Sequence, residues 1–332
     1  MAHQNGKGSI VEMKHSVFLP TGFGGELGTA DPVAAFEALS TLVRIADEEG
    51  FETAWILDHL QTVPPSQANL FECWTLVTAF LRDTTRLRIG QMVTGNGYRN
   101  PALQAKMAST ADVIGQGRLT FGIGAGWYEP DYVAFGYEFP DTPTRLRQLR
   151  EAVQIILSLW TEDETTFDGA HYQLRGAANQ PKGVQQPHIP MLIAGGGEKV
   201  TLKLVAEFGD ACNILESPEG LERKFAILRE HCERVGRDYD AIHRTAASIC
   251  IIADTDDEAR AALPDGAGAL FPGDVREYGL IGTPDTVRER LAAYEAAGVD
   301  ELAISFVAAD QPALMRRYAA EFIAVPARAP AR

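Results

Sequence analysis

Residues 118–132 read RLTFGIGAGWYEPDY. Leu119, Phe121 and Ile123 alternate with small or polar residues, and Gly115 and Gly117 precede the run, the pattern of a short strand buried in a sheet. The strand runs out into Gly124-Ala125-Gly126, followed at once by Trp127. Missing side chains let another surface approach the backbone closely, and a large flat aromatic stands beside the gap. Such an end is either a tight turn or a seat for a planar ligand, and the flanking sequence has to decide.

On both sides of this strand the chain alternates apolar strands with helices. Strands are expected at residues 16–20, 53–57 (TAWIL), 87–93 (LRIGQMV), 190–194 (PMLIA), 210–214 (DACNI), 246–253 (AASICIIA) and 301–305 (ELAIS), which with residues 118–124 makes eight. Between them lie helix starts in which a capping residue precedes proline: Asp31-Pro32, Asn100-Pro101, Thr142-Pro143, Ser217-Pro218 and Thr283-Pro284. A further helix is expected over Leu70 to Arg82. Continuously apolar strands imply a parallel sheet covered by helices, and eight such units imply an α/β fold of the (β/α)8 TIM-barrel type. The whole chain, 1–332, reads as one domain with flexible tails at 1–14 and 326–332. Two connections, Thr161 to Ile189 and Leu263 to Gly282, are too long for simple turns and read as insertions.

The net charge of −15 argues against nucleic acid or an anionic membrane surface as partner. The N-terminus lacks the apolar core of a signal peptide, and no apolar run reaches membrane-spanning length. Cys73, Cys212, Cys232 and Cys250 are scattered without metal-ligand spacing, so a cytoplasmic protein without structural or catalytic metal is expected.

Barrel active sites lie at the C-terminal ends of the strands. Here those ends carry Thr21-Gly22, Asp58-His59, Thr94-Gly95-Asn96, the Gly124–Trp127 loop and Gly195-Gly196-Gly197-Glu198. The triple glycine runs into a helix, so free backbone N–H groups and the positive helix end offer an anion site, with Lys199 nearby. It is equally a tight turn, and Asp58-His59 can equally be a structural pair at a strand end.

Taken together, AWILDH, RIGQMVTGNGYRNPALQAKMASTADVIGQGRLTFGIGAGWYEPDY, IPMLIAGGGEKVTLKLVAEFGDACNI and IGTPDTVRERLAAYEAAGVDEL resemble the bacterial luciferase-like superfamily of flavin and deazaflavin oxidoreductases. The likeness runs over nearly the whole chain and points to the branch that uses coenzyme F420. It implies a coenzyme ring at the barrel mouth, supported by a strand-three bulge with a non-proline cis peptide at Gln91-Met92, with Val93 and Thr94 completing the support. It implies that Gly195, Gly196 and Gly197 hold the coenzyme phosphate, and that Gly124, Gly126 and Trp127 lie by the ring. Asp58 and His59 map to a ring-proximal pair in which the histidine serves as acid or base. Some relatives carry a carboxylate where Trp127 stands, which puts sugar-phosphate dehydrogenase chemistry in doubt here. The activity implied is hydride transfer between F420 and a small organic substrate. The alternatives are an FMN-dependent monooxygenase fed by a separate reductase, or a non-catalytic flavin-binding protein. The resemblance also implies a homodimer.

Overall fold

The computed structural model describes residues 13–323. Of the tails expected at 1–14 and 326–332, residues 1–12 and 326–332 lie outside the described residues, while Met13 is buried in the core and Lys14 belongs to the first strand.

Eight parallel strands form the barrel: β1 (Lys14–Phe18), β2 (Thr53–Ile56), β3 (Arg88–Gln91), β4 (Leu119–Gly124), β5 (Met191–Ala194), β6 (Ala211–Ile214), β7 (His243–Ile252) and β8 (Glu301–Phe306). Each pairs with the next. The pairing of β8 with β1 closes the ring. The eight strands expected from the apolar runs are thus all present, and the fold is a (β/α)8 TIM barrel.

One helix follows each strand: α1 (Pro32–Glu48), α2 (Cys73–Asp83), α3 (Pro101–Ile114), α4 (Thr142–Thr161), α5 (Thr201–Phe208), α6 (Pro218–Val235), α7 (Pro284–Ala296) and α8 (Gln311–Phe322). The Asp-Pro, Asn-Pro and Ser/Thr-Pro starts work as their chemistry dictates. Asp31, Asn100, Ser217 and Thr283 each accept a backbone N–H of the first turn, and proline takes a position whose N–H would have no partner. For α4 the capping side chain is Asp141, one residue before the expected Thr142. Of the eight barrel helices, α5 alone starts without a side-chain cap, directly after the triple glycine.

The apolar core has two parts. A large layer between strands and helices includes Leu39, Phe80, Phe121, Ile156, Val205 and Tyr318. A smaller cluster of Trp55, Met92, Leu192, Ala211, Ala247 and Ala303 fills the barrel itself. Near the N-terminal ends of the strands the barrel is floored by polar contacts. The Glu301 carboxylate accepts from Ser16 Oγ and from Trp55 Nε1 at 3.1 Å, and pairs with His243 Nε2 at 2.8 Å. Burial would raise its pKa, but His243 above all, with Ser16 and Thr53, outweighs burial and holds it below the ordinary glutamate range.

Of the two insertions, the first contains an antiparallel hairpin, Thr165–Asp168 with Gln173–Ala177. The second contains a 3-10 turn, Val275–Glu277, and a short strand, Leu280–Gly282, that pairs with β7. Two short helices lie outside the expected scheme, Glu129–Ala134 and Asp256–Ala261. Both are under two turns, too short to show an apolar period.

Candidate active site

The mouth is shaped by an irregularity in β3. Gly90 pairs with Thr120 and Thr94 with Ile123, so four residues along the third strand face three along β4, which is a β-bulge. The non-proline cis peptide lies at Met92-Val93, one residue later than the sequence placed it. Two glycines of β4 make room for the bulge. A Cβ on Gly122 would stand 2.0 Å from the Gln91 carbonyl oxygen, and one on Gly124 would stand 2.8 Å from Val93 Cγ2. Gly126, at φ +80°, would set a Cβ 2.0 Å from the Tyr132 hydroxyl. The surface that approaches these glycines is therefore the chain's own: bulge and tyrosine lie where a ligand was expected at Gly124 and Gly126. Gln91 is fully buried, and its Nε2 has no hydrogen-bond partner among the described residues.

At the end of β2, Asp58 and His59 point to different tasks. Arg99 grips Asp58 with both Nη atoms, at 2.6 and 3.1 Å, and also reaches Glu72 at 2.6 Å. Thr94 Oγ1 and the Gly95 N–H donate to the same Asp58 carboxylate at 2.7 and 3.1 Å. Every contact of Asp58 ties strand ends together, and its side chain is out of solvent. This geometry fits a positioning role, since no face of the carboxylate is left for a ligand.

His59 Nδ1 is 2.8 Å from Asp131 Oδ2. Asp131 sits in the short helix Glu129–Ala134 and is fully buried. The same oxygen accepts from the Tyr98 hydroxyl at 3.0 Å and from the Leu60 N–H at 3.3 Å. Burial pushes the Asp131 pKa up, but His59, Tyr98 and Leu60 overcome it and hold the carboxyl below its usual value. The Tyr98 phenol is held protonated, its pKa raised by burial, then by Tyr132 and by the anion it donates to. With Nδ1–H committed to a buried carboxylate, the imidazole is fixed in one tautomer and Nε2 has no protein partner among the described residues. That is a built proton acceptor or donor: oriented from behind, open in front. The rings of Phe23, Trp127 and Tyr128 surround it at centroid distances of 4.6, 5.7 and 5.8 Å.

Across the mouth, Gly195 takes φ +128°. At Gly196 a Cβ would rest in ordinary contact with Ile214 Cγ2 at 3.6 Å and with Lys224 Cε and Nζ at 3.8 Å. Lys224 of α6 lies against the loop, with Nζ 2.8 Å from both the Gly196 carbonyl and Glu198 Oε1. Arg223 holds the same Glu198 oxygen at 2.6 Å. These two cations draw the Glu198 pKa down, Lys224 most. The Gly195 N–H is taken by the Asn213 carbonyl at 3.0 Å, but the Gly196 and Gly197 N–H groups, an uncapped helix start and a buried lysine have the chemistry of an anion cradle. Lys199, the cation expected there, is exposed, and Lys224 is the one built into the loop.

The sequence reading missed Asp131, Arg99 and Lys224. Asp131 lies within the quoted stretch, and its position four residues past Trp127 was a usable signal once a histidine stood at the end of β2, two strands away. Lys224 sits mid-helix, and nothing local marks it.

The luciferase-like monooxygenase model matches residues 13–271. An F420-dependent glucose-6-phosphate dehydrogenase of Kineococcus radiotolerans is 34% identical over 60% of this chain and 59% of its own. The chain thus spans about three fifths of that relative's length. The FMNH(2)-dependent dimethylsulfone monooxygenase of Pseudomonas putida is 26% identical over 80% of this chain and 82% of its own. In fold, the chain is similar to an F420-dependent secondary alcohol dehydrogenase solved with an F420-acetone adduct, with TM-score 0.80 and 20% identity over 94% of this chain and 98% of the other. Among the described residues no helix is long and apolar enough to cross a membrane. With its family model matched from the first strand to the second insertion, on a barrel of the same fold, this chain belongs to the luciferase-like monooxygenase family.

Proposed function

We propose that this protein is an F420-dependent oxidoreductase that moves a hydride between the deazaflavin and a small organic substrate. The observation that carries this reading is His59, whose Nδ1 is bound to buried Asp131 while Nε2 stays open one strand from the bulge. Oxidising an alcohol, or reducing a carbonyl, needs a proton moved at the substrate oxygen as the hydride moves at carbon. The coenzyme supplies the hydride chemistry, and the chain supplies orientation and the proton. In this reading Met92 and Val93 back the ring, with Gln91, Thr94 and Gly124 shaping the bulge behind it. Gly195, Gly196 and Gly197 with the start of α5 take the phosphate, Lys224 adding charge. Asp58 holds the His59 segment through Arg99 and Thr94. The names of relatives such as the Kineococcus enzyme agree with the coenzyme.

The second reading is an FMN-dependent monooxygenase served by a reductase partner, favoured by the long alignment with the dimethylsulfone enzyme. Titrating the purified protein with F420 and with FMN, followed by fluorescence, separates the two. F420 is expected to bind at least tenfold more tightly, about 1.4 kcal/mol. FMN binding as tightly or tighter reverses the choice. We further infer a cytoplasmic protein, from four scattered cysteines without disulfide or metal spacing, and a homodimer, from the family resemblance.

A further inference from the structure

We propose that the substrate of this site is a neutral, mainly apolar ring compound that offers one hydroxyl or carbonyl oxygen to His59 Nε2 and lays its ring on Trp127. The inference rests on the oxidoreductase reading above. His59 is nearly buried, and what buries it is aromatic: Phe23 lies against it tilted by 49°, while Trp127 and Tyr128 meet it edge-on at 73° and 70°. Trp127 and Tyr128 also touch each other, with centroids 5.2 Å apart, so the wall is continuous.

Trp127 stands out among the tryptophans. Trp55, Trp74 and Trp160 are at most 4% exposed, whereas Trp127 is 54% exposed. An indole left open beside the unpartnered Nε2 of His59 is a surface waiting for an apolar face. The following segment also exposes Val133 and Phe135. Among the described residues no Lys or Arg belongs to this wall, and Arg99 and Arg145 on the adjoining loops are engaged. Arg99 is bound to Asp58 and Glu72. Arg145 donates to the Gly126 and Pro140 carbonyls and lies over the Phe139 ring. A sugar phosphate would find no free basic group there for its anion. Its hydroxyls would meet few partners, since the three rings add only the Trp127 N–H and the Tyr128 hydroxyl. One substrate oxygen is what Nε2 can serve, and the rest of the wall is apolar.

The test uses α-tetralol, a neutral secondary alcohol on a flat bicyclic ring, against glucose 6-phosphate. Each is titrated by calorimetry into the coenzyme-saturated protein and into the protein alone, for wild type, Trp127→Ala and Trp127→Phe. We expect α-tetralol to bind at least about tenfold more tightly than glucose 6-phosphate. Trp127→Ala is expected to weaken α-tetralol by about 10- to 100-fold, Trp127→Phe to restore most of that, and coenzyme affinity to stay within about threefold in both. Tighter binding of the sugar phosphate overturns the proposal, as does unchanged α-tetralol binding in Trp127→Ala. Loss of coenzyme affinity in Trp127→Ala overturns it too, because the indole then serves the coenzyme. Failure of the wild type to bind coenzyme sinks the oxidoreductase reading instead; α-tetralol binding to the protein alone would still support the apolar pocket.

Discussion

Gly124→Ala tests whether β4 is built around the bulge. The new methyl would lie 2.8 Å from Val93 Cγ2, so Val93 must retreat by about 0.6 Å to reach an ordinary contact. Overpacking of this kind costs about 1–3 kcal/mol. Gly124 has no left-handed backbone, so alanine also returns about 0.4–1 kcal/mol by restricting the unfolded chain. The net loss is about 0–2.6 kcal/mol, which for a chain of this length lowers Tm by up to about 4 °C. Val93→Ala alone removes two half-buried methyl groups and is mildly destabilising. Combined with Gly124→Ala it removes the very atom that clashes, so the double variant is expected to be more stable than the two single losses predict, by about 1 kcal/mol. Calorimetric melting of the four proteins reads this coupling. Losses that add to within about 0.5 kcal/mol would refute the claim that Gly124 exists to make room for Val93.

Asp131→Asn keeps the shape behind His59 but removes the anion, and turnover is expected to fall by about 10²–10³ with coenzyme affinity within a few fold; steady-state kinetics beside a coenzyme titration checks this. Gly196→Asp places a carboxylate within reach of Lys224 Nζ, 3.8 Å from the Cβ position, so the protein should fill its own anion cradle. Coenzyme affinity is then expected to drop at least tenfold with Tm unchanged, and an unchanged affinity removes the cradle assignment. His15, hydrogen-bonded to the Tyr318 hydroxyl at 2.6 Å, has its pKa lowered from 6.5 to about 4 by burial. Its folded pKa lies below its unfolded one, so the unfolded chain binds the extra proton between them. That stability is complete above pH 6.5 and is lost as pH falls toward 4, on the order of 3 kcal/mol. In His15→Gln, urea melts at pH 7 and at pH 4.5 should differ less than in wild type.

How far the sequence could be read depended on the range of the forces involved. The Asp-Pro, Asn-Pro and Ser/Thr-Pro starts and the continuous apolar strands are local, so the barrel was legible from them. The glycines of β4 were legible as places of close approach, but not what approaches: a bulge on the neighbouring strand and a tyrosine from the next helix. Asp131 meets His59 from 72 residues downstream, Tyr98 reaches the same Asp131 from the turn after β3, and only the closed ring brings them together. Asp58-His59 read as a pair because they are adjacent. Consecutive residues leaving a strand point apart, and here one faces Arg99 and the other the mouth.

The floor of the barrel has a kinetic consequence. Glu301, with Ser16, Trp55 and His243 drawn onto it, stoppers the end opposite the mouth, and the interior between is packed with Leu192, Ala247 and Ala303. Traffic therefore has one doorway. Whatever rests deepest, against the bulge, must arrive first and depart last, and whatever rests on the Trp127 rim comes and goes above it. On the proposed two-reactant reading, one doorway leaves no room for random order, so turnover is expected to follow a compulsory sequence, with the rim ligand acting as the lid over the one beneath.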